Sequence, residues 1–224
     1  MRTNIINQNN TFTIIIPFMN MSGEEVLTCL NSLKNQTSKN FKVIFINNNS
    51  KRTKIEDFIK EVIKDSFVYS ILHEPNPGVC KARNKGLSKL LSGWVLFLDI
   101  DDAISENYIH ELNMMPLDQY AIYKPYYSYK MEGKEFLQTS ETILKKSFDV
   151  GFSFFWRKES MKLFDENLTF NETLDFILSN NLHQLQIIFI DAIYHYYLQP
   201  KKKYEDTKEY LKKKHKNIKL IKAL

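Results

Sequence analysis

The chain has 224 residues, 43% of them hydrophobic and 25% charged, with a formal net charge of +5. That is the balance of a soluble globular protein with room for one full core. No stretch approaches the roughly 18 continuous apolar residues that a membrane span needs, residues 1–10 lack the apolar core of a signal peptide, and Cys29 and Cys80 match no metal or redox spacing, so a cytoplasmic protein is expected.

Residues 1–11 are polar and expected to fray. Phe12 to Ile16 is a β-branched run that reads as a central strand, with Pro17 just outside it. Ser22 and Glu25 stand at capping-box spacing and open a helix whose Val26, Leu27, Leu30 and Leu33 share one face. Phe41 to Ile46 is a second strand, ended by the turn formers Asn47-Asn48-Asn49-Ser50. Ile55, Phe58, Ile59, Val62 and Ile63 predict a second amphipathic helix, and Phe67 to Leu72 a third strand. After the Pro75-Asn-Pro-Gly78 break comes a third helix with Val79, Ala82, Gly86, Leu87 and Leu90 inward.

Trp94 to Leu98 is an unbroken apolar run, as in a strand buried on both faces, and it ends in Asp99, Asp101 and Asp102. Strand alternation would aim Asp99 and Asp101 to one side. Ligands of open α/β sheets bind at the carboxyl ends of strands. Acids crowded there repel unless a cation neutralises them, and hard oxygen ligands suit Mg²⁺ or Mn²⁺. The alternative is a helix-capping role for Asp102. Residues 12–99 thus read β-α-β-α-β-α-β, an α/β, Rossmann-like, mostly parallel sheet with helices on both faces. No G-x-G-x-x-G follows the first strand, which demotes a dehydrogenase.

The second half is less regular. Tyr120 to Tyr129 predicts a mixed or edge strand, Phe152 to Arg157 and Gln186 to Tyr197 two more, and Asn171 to Leu182 a short helix. With no repeat and no Gly/Ser linker, these strands are expected to extend the first sheet into one domain over residues 12–200. From Lys201 on, ten lysines meet three carboxylates, a net of +7, which leaves −2 for residues 1–200. Tyr204, Leu211, Ile218 and Ile221 fall near helical spacing, so the tail reads as a basic amphipathic helix for an anionic membrane surface, with docking to a partner or a solvated end as the alternatives. No base-reading motif accompanies it, so nucleic acid is not expected as a partner.

Several spaced segments resemble family 2 of the inverting glycosyltransferases, which have the GT-A fold: Ile14-Ile-Ile-Pro-Phe-Met-Asn20, Ser32-Leu-Lys-Asn-Gln-Thr37, Asn76-Pro-Gly-Val-Cys-Lys-Ala-Arg-Asn-Lys-Gly-Leu87, Phe97-Leu-Asp-Ile-Asp-Asp102, and Phe164-Asp-Glu166 with Glu172. The resemblance implies a nucleotide-binding half over 12–102, an acceptor-side half over 103–200, and a Mn²⁺- or Mg²⁺-dependent transfer from a nucleotide sugar to a glycan, lipid-linked or protein acceptor. Pro17, Met19, Asn20, Asn47, Asn48, Asn76, Gly78, Arg83, Asp99 and Ile100 would then line the donor site. Asp101 would ligate the metal, with His195 as a late ligand, and Asp102 and Trp156 would face the acceptor.

Three departures from the family pattern matter. Asn47-Asn48 replaces Asp-Asp, so a uridine base would meet a neutral acceptor. Met19 replaces a stacking tyrosine and offers apolar contact without a π face. Thr173 falls where the family has the aspartate that serves as general base, which leaves Glu172 and Asp175, three apart on a short helix, as the carboxylates for that role.

Overall fold

The computed structural model describes residues 12–51, 54–131, 134–141, 153–157, 159–196 and 208–216. The expected N-terminal fray at 1–11 and most of the expected tail, with Tyr204, Ile218 and Ile221, lie outside the described residues.

Strands β1 (Phe12–Phe18), β2 (Phe41–Asn47), β3 (Val68–His73) and β4 (Gly93–Phe97) alternate with helices α1 (Gly23–Lys34), α2 (Ile55–Ile63) and α3 (Val79–Leu87). All four pair in parallel in the order β3-β2-β1-β4. Ser22 and Glu25 form the reciprocal cap at the start of α1. A Cβ on Gly86 would lie 2.6 Å from Ile15 Cγ2, so glycine lets α3 settle directly on β1.

Pro17 lies inside β1, not beyond it. The Ile15 carbonyl accepts from Leu98 N–H, so Ile15 and Pro17 turn their backbone groups toward β4. That strand ends at Phe97, and the missing proline N–H therefore costs the sheet no bond.

The later strands join the same nine-stranded sheet, which continues β4-β8-β6-β9-β5 with β7 on the flank of β6. These are β5 (Ala103–Ile104), β6 (Ala121–Met131), β7 (Lys134–Gln138), β8 (Phe154–Arg157) and β9 (Gln186–Tyr196). Strand β6 is interior, between β8 and β9. Helix α4 (Tyr108–Met114) and strands β5 and β7 went unread in the sequence because each is short and carries little periodicity. Helix α5 (Glu172–Ser179) is shorter than expected, with a 3₁₀ turn at Leu182–Gln184. Helix α6 (Lys208–Lys214) closes the described chain, and no helix among the described residues is long and apolar enough to cross a membrane.

One core lies between the sheet and α1, α2 and α4, built on Phe12, Ile14, Ile16, Trp94, Leu96 and Tyr194. The other lies under α3 and α5, built on Ile15, Val95, Phe97, Phe155, Phe164 and Phe176. The segment Ser32–Thr37 knits α1 to the β5–α4 connection. The buried Gln36 amide donates to the carbonyls of Ser32 (3.0 Å) and Ser105 (2.7 Å) and accepts from Ile109 N–H (3.1 Å).

Candidate active site

At the carboxyl ends of β1 and β4, a cleft of about 240 Å³ is lined by Pro17, Met19, Asn48, Gly78, Asp99, Ile100 and Asp101, with Phe18, Met21 and Val79. Seven of the twelve expected donor-site and metal positions thus reach one cavity. The acids do not arrive by strand alternation. β4 ends at Phe97, and Asp102 N–H donates to the Asp99 carbonyl (3.0 Å), so Asp99 to Asp102 form a turn. Asp102 is buried and accepts from Tyr194 Oη (2.7 Å); it neither faces an acceptor nor caps a helix, since β5 follows it. Burial, with Asp102 close by, pushes the Tyr194 phenol well up, so it remains the donor.

Arg83, expected to line the donor site, is absent from the cleft lining. Instead it is buried and forks between two carboxylates, Nη1 donating to Glu172 Oε1 (3.0 Å) and Nη2 to Asp99 Oδ1 (3.1 Å). Its guanidinium lies 5.7 Å from the Phe97 ring centre and 5.5 Å from that of Phe164. Burial alone would push its pKa down, but Asp99 and Glu172 outweigh burial and raise it. Its Nε is buried without a hydrogen-bond partner. The sequence hides this because the two partners are 16 and 89 residues away.

The asparagines expected in the donor site, Asn47 and Asn48 of them at the base, brace loops. Asn48 donates from Nδ2 to the Asn76 carbonyl (2.8 Å) and accepts Gly78 N–H at Oδ1 (2.7 Å), fixing the 75–78 loop against β2. Asn47 donates to Glu56 and accepts Ser50 N–H (2.8 Å). Asn20, at φ 56°, accepts Lys51 N–H (2.8 Å) and so ties the loop after β1 to the loop after β2. Asn76 donates to Glu74 Oε1 (3.1 Å). Gly78, with φ 139°, occupies backbone space that a side chain would strain, and a Cβ there would meet only Lys81 at 3.8 Å. The glycine is needed for conformation more than for clearance.

Glu172 opens α5 beneath this cleft. Its neighbour Asp175 is fully buried, accepting from His215 Nε2 (2.8 Å) and Lys214 Nζ (3.1 Å), and a general base for an incoming hydroxyl cannot be walled in this way. The structure therefore removes Asp175 from the base role. Thr173 is partly exposed between them. In the described part of the tail, Leu211 packs on Leu178, and Tyr210 and Lys214 both donate to Asp165 Oδ2 at 2.7 Å, so this part of α6 docks on its own domain. The sequence carried no signal for that docking.

His195 Nδ1 lies 2.8 Å from Ser128 Oγ and 3.6 Å from Glu135 Oε1, a cluster on β6, β7 and β9. Trp156 pairs with Trp94 at the amino end of β4, ring centres 5.3 Å apart, at the opposite end of the strand from the acids, which overturns its acceptor-side placement. Among the described residues, no three His, Cys, Asp or Glu side chains gather to hold an ion unaided. Both cysteines are buried; burial pushes the Cys80 thiol up to about 12 and the Cys29 thiol well up, so neither is a nucleophile.

The model of glycosyl transferase family 2 matches residues 13–183. The chain belongs to this family. It is 30% identical over 115 residues to the uncharacterized glycosyltransferase YibD of Escherichia coli, covering 51% of this chain and 33% of that one. It is 27% identical over 206 residues to a cholesterol galactosyltransferase of Borreliella burgdorferi, covering 81% and 53%. The chain thus spans a third to a half of these relatives. The crystal structure of S. aureus TarS residues 1–349 in complex with UDP-GlcNAc superposes with a TM-score of 0.69 at 17% identity, over 90% of this chain and 64% of that one, so the two share the GT-A fold.

Proposed function

We propose that this chain is the catalytic domain of a metal-dependent, inverting glycosyltransferase that moves a sugar from a UDP-linked donor to a hydroxyl of a glycan, lipid-linked or protein-linked acceptor. The observation that carries the reading is the Asp99–Arg83–Glu172 bridge, which sets an exposed cleft acid and a second carboxylate about one guanidinium apart at the mouth of the sheet. The UDP-GlcNAc held by TarS supports the donor class. The sterol acceptor in the name of the Borreliella relative keeps lipid hydroxyls among the candidates.

Asp101, with Asp99 beside it, would hold Mn²⁺ or Mg²⁺; Mg²⁺ in particular keeps waters and takes substrate phosphates as further ligands, so two carboxylates suffice. Bound there, the ion supplies Lewis-acid stabilisation to the departing diphosphate. His195 would join it through Nε2, since Ser128 and Glu135 both lie at Nδ1. Glu172 accepts the proton of the acceptor hydroxyl while that oxygen bonds to the anomeric carbon and the sugar–phosphate bond breaks on the opposite face, which inverts the centre. Arg83 fixes the Glu172 carboxylate through Oε1. Met19, 45% exposed, gives the base an apolar contact, and the glycine backbone at Gly78 borders the donor.

A second reading rests on Thr173 in the family's base position and on the burial of Asp175: a nucleotide-sugar-binding domain with little turnover. A panel of nucleotide sugars, scored for hydrolysis and thermal shift with and without Mn²⁺, separates the two. On the first reading, Glu172→Gln lowers kcat by about 10² to 10⁴ with donor affinity little changed, and Asp101→Ala loses Mn²⁺-dependent UDP binding. A shift without turnover, and activity created by Thr173→Asp, favour the second. Peripheral attachment to anionic membranes would rest on outward lysines such as Lys213 and Lys216; equal liposome binding by the chain ended at residue 200 removes it.

A further inference from the structure

Helix α5 has few local reasons to hold its orientation. It is eight residues long, too short to be stable alone, and its N-cap Asn171 sits at φ 55° with no side-chain hydrogen bond to the helix. Inside the domain, Phe176 stacks on Phe164 with ring centres 4.2 Å apart, a contact that permits sliding and rocking. Arg83 holds the first residue of α5 and Lys162 its C-cap Asn180, through two hydrogen bonds of 2.7 and 3.1 Å; the restraints on its middle turn come from α6. His215 Nε2 and Lys214 Nζ both bond the buried Asp175 carboxylate, one turn along α5 from Glu172, and Leu211 fills the gap against Leu178. The same Lys214, with Tyr210, holds Asp165. Asp165 lies between Phe164 and Glu166, and the amide of Asn84 binds Phe164 in both directions (2.8 and 3.0 Å) and Glu166 Oε1 (3.0 Å). Asn84 adjoins Arg83. One short helix thus grips both supports of the bridge: the helix that carries Glu172, and the loop that is tied to the arginine helix.

We propose that α6 is a positioning strut for the active site, in which His215 and Lys214, acting through Asp175, set the angle at which Glu172 meets Arg83 and an acceptor. The proposal rests on Glu172 as the base. Asp175, unable to reach an acceptor, is kept as a buried carboxylate because it is the socket for this strut. Its two partners lie 39 and 40 residues beyond it, in a segment that the family match, ending at residue 183, does not include. Geometry at a general base is steep in its effect, since a displacement of about 1 Å can cost up to 10²-fold in rate. Loss of the strut is therefore read in kcat before it is read in donor binding.

The test uses the full chain and its His215→Ala and His215→Gln variants. The glutamine amide can still donate to Asp175, while alanine leaves that side of the carboxylate bare. Three quantities are measured on each: kcat and KM with the nucleotide sugar the parent turns over fastest, hydrogen exchange across residues 172–179, and the melting temperature. The expected result is a loss of about 10- to 100-fold in kcat for His215→Ala, with KM within about twofold, faster exchange confined to α5 and α6, and recovery of most of the rate in His215→Gln. Faster exchange with parental kcat shows that α6 braces α5 without positioning the base, and overturns the proposal. A loss of rate matched by a general fall in melting temperature and in exchange protection of β1 to β4 reduces His215 to a stability residue and overturns it as well. A parent that turns over no nucleotide sugar defeats the assignment of Glu172 and this proposal together, whereas an active parent with an unaffected His215→Ala defeats this proposal alone.

Discussion

The two ends of the Arg83 bridge are held by different means. On one side Asp99 stands in a tight turn at the end of β4, in the same run of βα units as the arginine, 16 residues away. Its surroundings are braced by asparagine bonds spanning 3 to 31 residues, within and between neighbouring loops. On the other side Glu172 is 89 residues distant, on a helix whose Asp175 is bonded from a segment a further forty residues along. The near side is a preformed cradle built by local chain geometry. The far side is an assembly of parts, and its precision depends on contacts with high loop-closure cost. The proposed donor site can be read from contiguous motifs for that reason, while the proposed base and its support cannot.

Substituting the shared element should strike both sides. Arg83→Met leaves Asp99 and Glu172 facing each other without a cation, and about 2–3 kcal/mol of stability should be lost, less than the 3–5 typical of a fully buried pair because the Asp99 side chain is 40% exposed. Urea denaturation measures it, and a variant as stable as the parent would mean that the bridge is ornamental.

Breaking only the far side has a more local effect. Leu211→Ala removes the apolar contact with Leu178 and should cost about 2 kcal/mol, the low end for a buried leucine. Hydrogen exchange should place the loss in α6 and α5, with β1 to β4 unchanged; uniform loss through the sheet would show that the two sides are not separable.

On the near side, Asn48→Ala deletes bonds to the Asn76 carbonyl and the Gly78 N–H. A cost of about 1–2 kcal/mol follows from leaving those backbone groups unpaired. The 75–78 loop should loosen, and UDP affinity should fall while the α6 contacts remain protected. Unchanged UDP affinity would separate that loop from the donor site.

The smallest effect is a pH dependence confined to the far side. The hydrogen bonds from Lys214 and Tyr210 hold the Asp165 carboxyl well below the usual aspartate range. A depressed folded-state pKa stabilises above the unfolded value, near 3.9, and that contribution is lost as pH falls below it. Lys214 is pushed the other way: burial lowers it, but Asp165 and Asp175 raise it overall. Its contribution is present below about 10.4 and is lost as pH rises through the raised value. The strut should therefore hold from about pH 4 to about pH 10 and release α6 first in acid, seen as proteolysis of the C-terminal segment before the sheet unfolds. Release near neutral pH would contradict the ion-pair assignment.

The sequence by itself determined the βα order of residues 12–97, the acid cluster after β4, the glycines at 78 and 86 and the family, because each depends on periodicity or on motifs within a few dozen residues. It also singled out the cleft wall, Pro17, Met19, Gly78, Asp99, Ile100 and Asp101. Tertiary structure alone decided what the polar side chains at those motifs are for. Asn47 and Asn48 carry the types expected of base-binding groups, yet their hydrogen-bonding capacity goes to Glu56, Ser50, Asn76 and Gly78. Asp102 is buried on Tyr194, Trp156 lies at the wrong end of β4, and Asp175 serves the C-terminal helix. A residue's chemistry is written in its type, but which groups satisfy it depends on chain segments that only folding brings within 3 Å, and no spacing in the sequence encodes an approach across 40 to 90 residues.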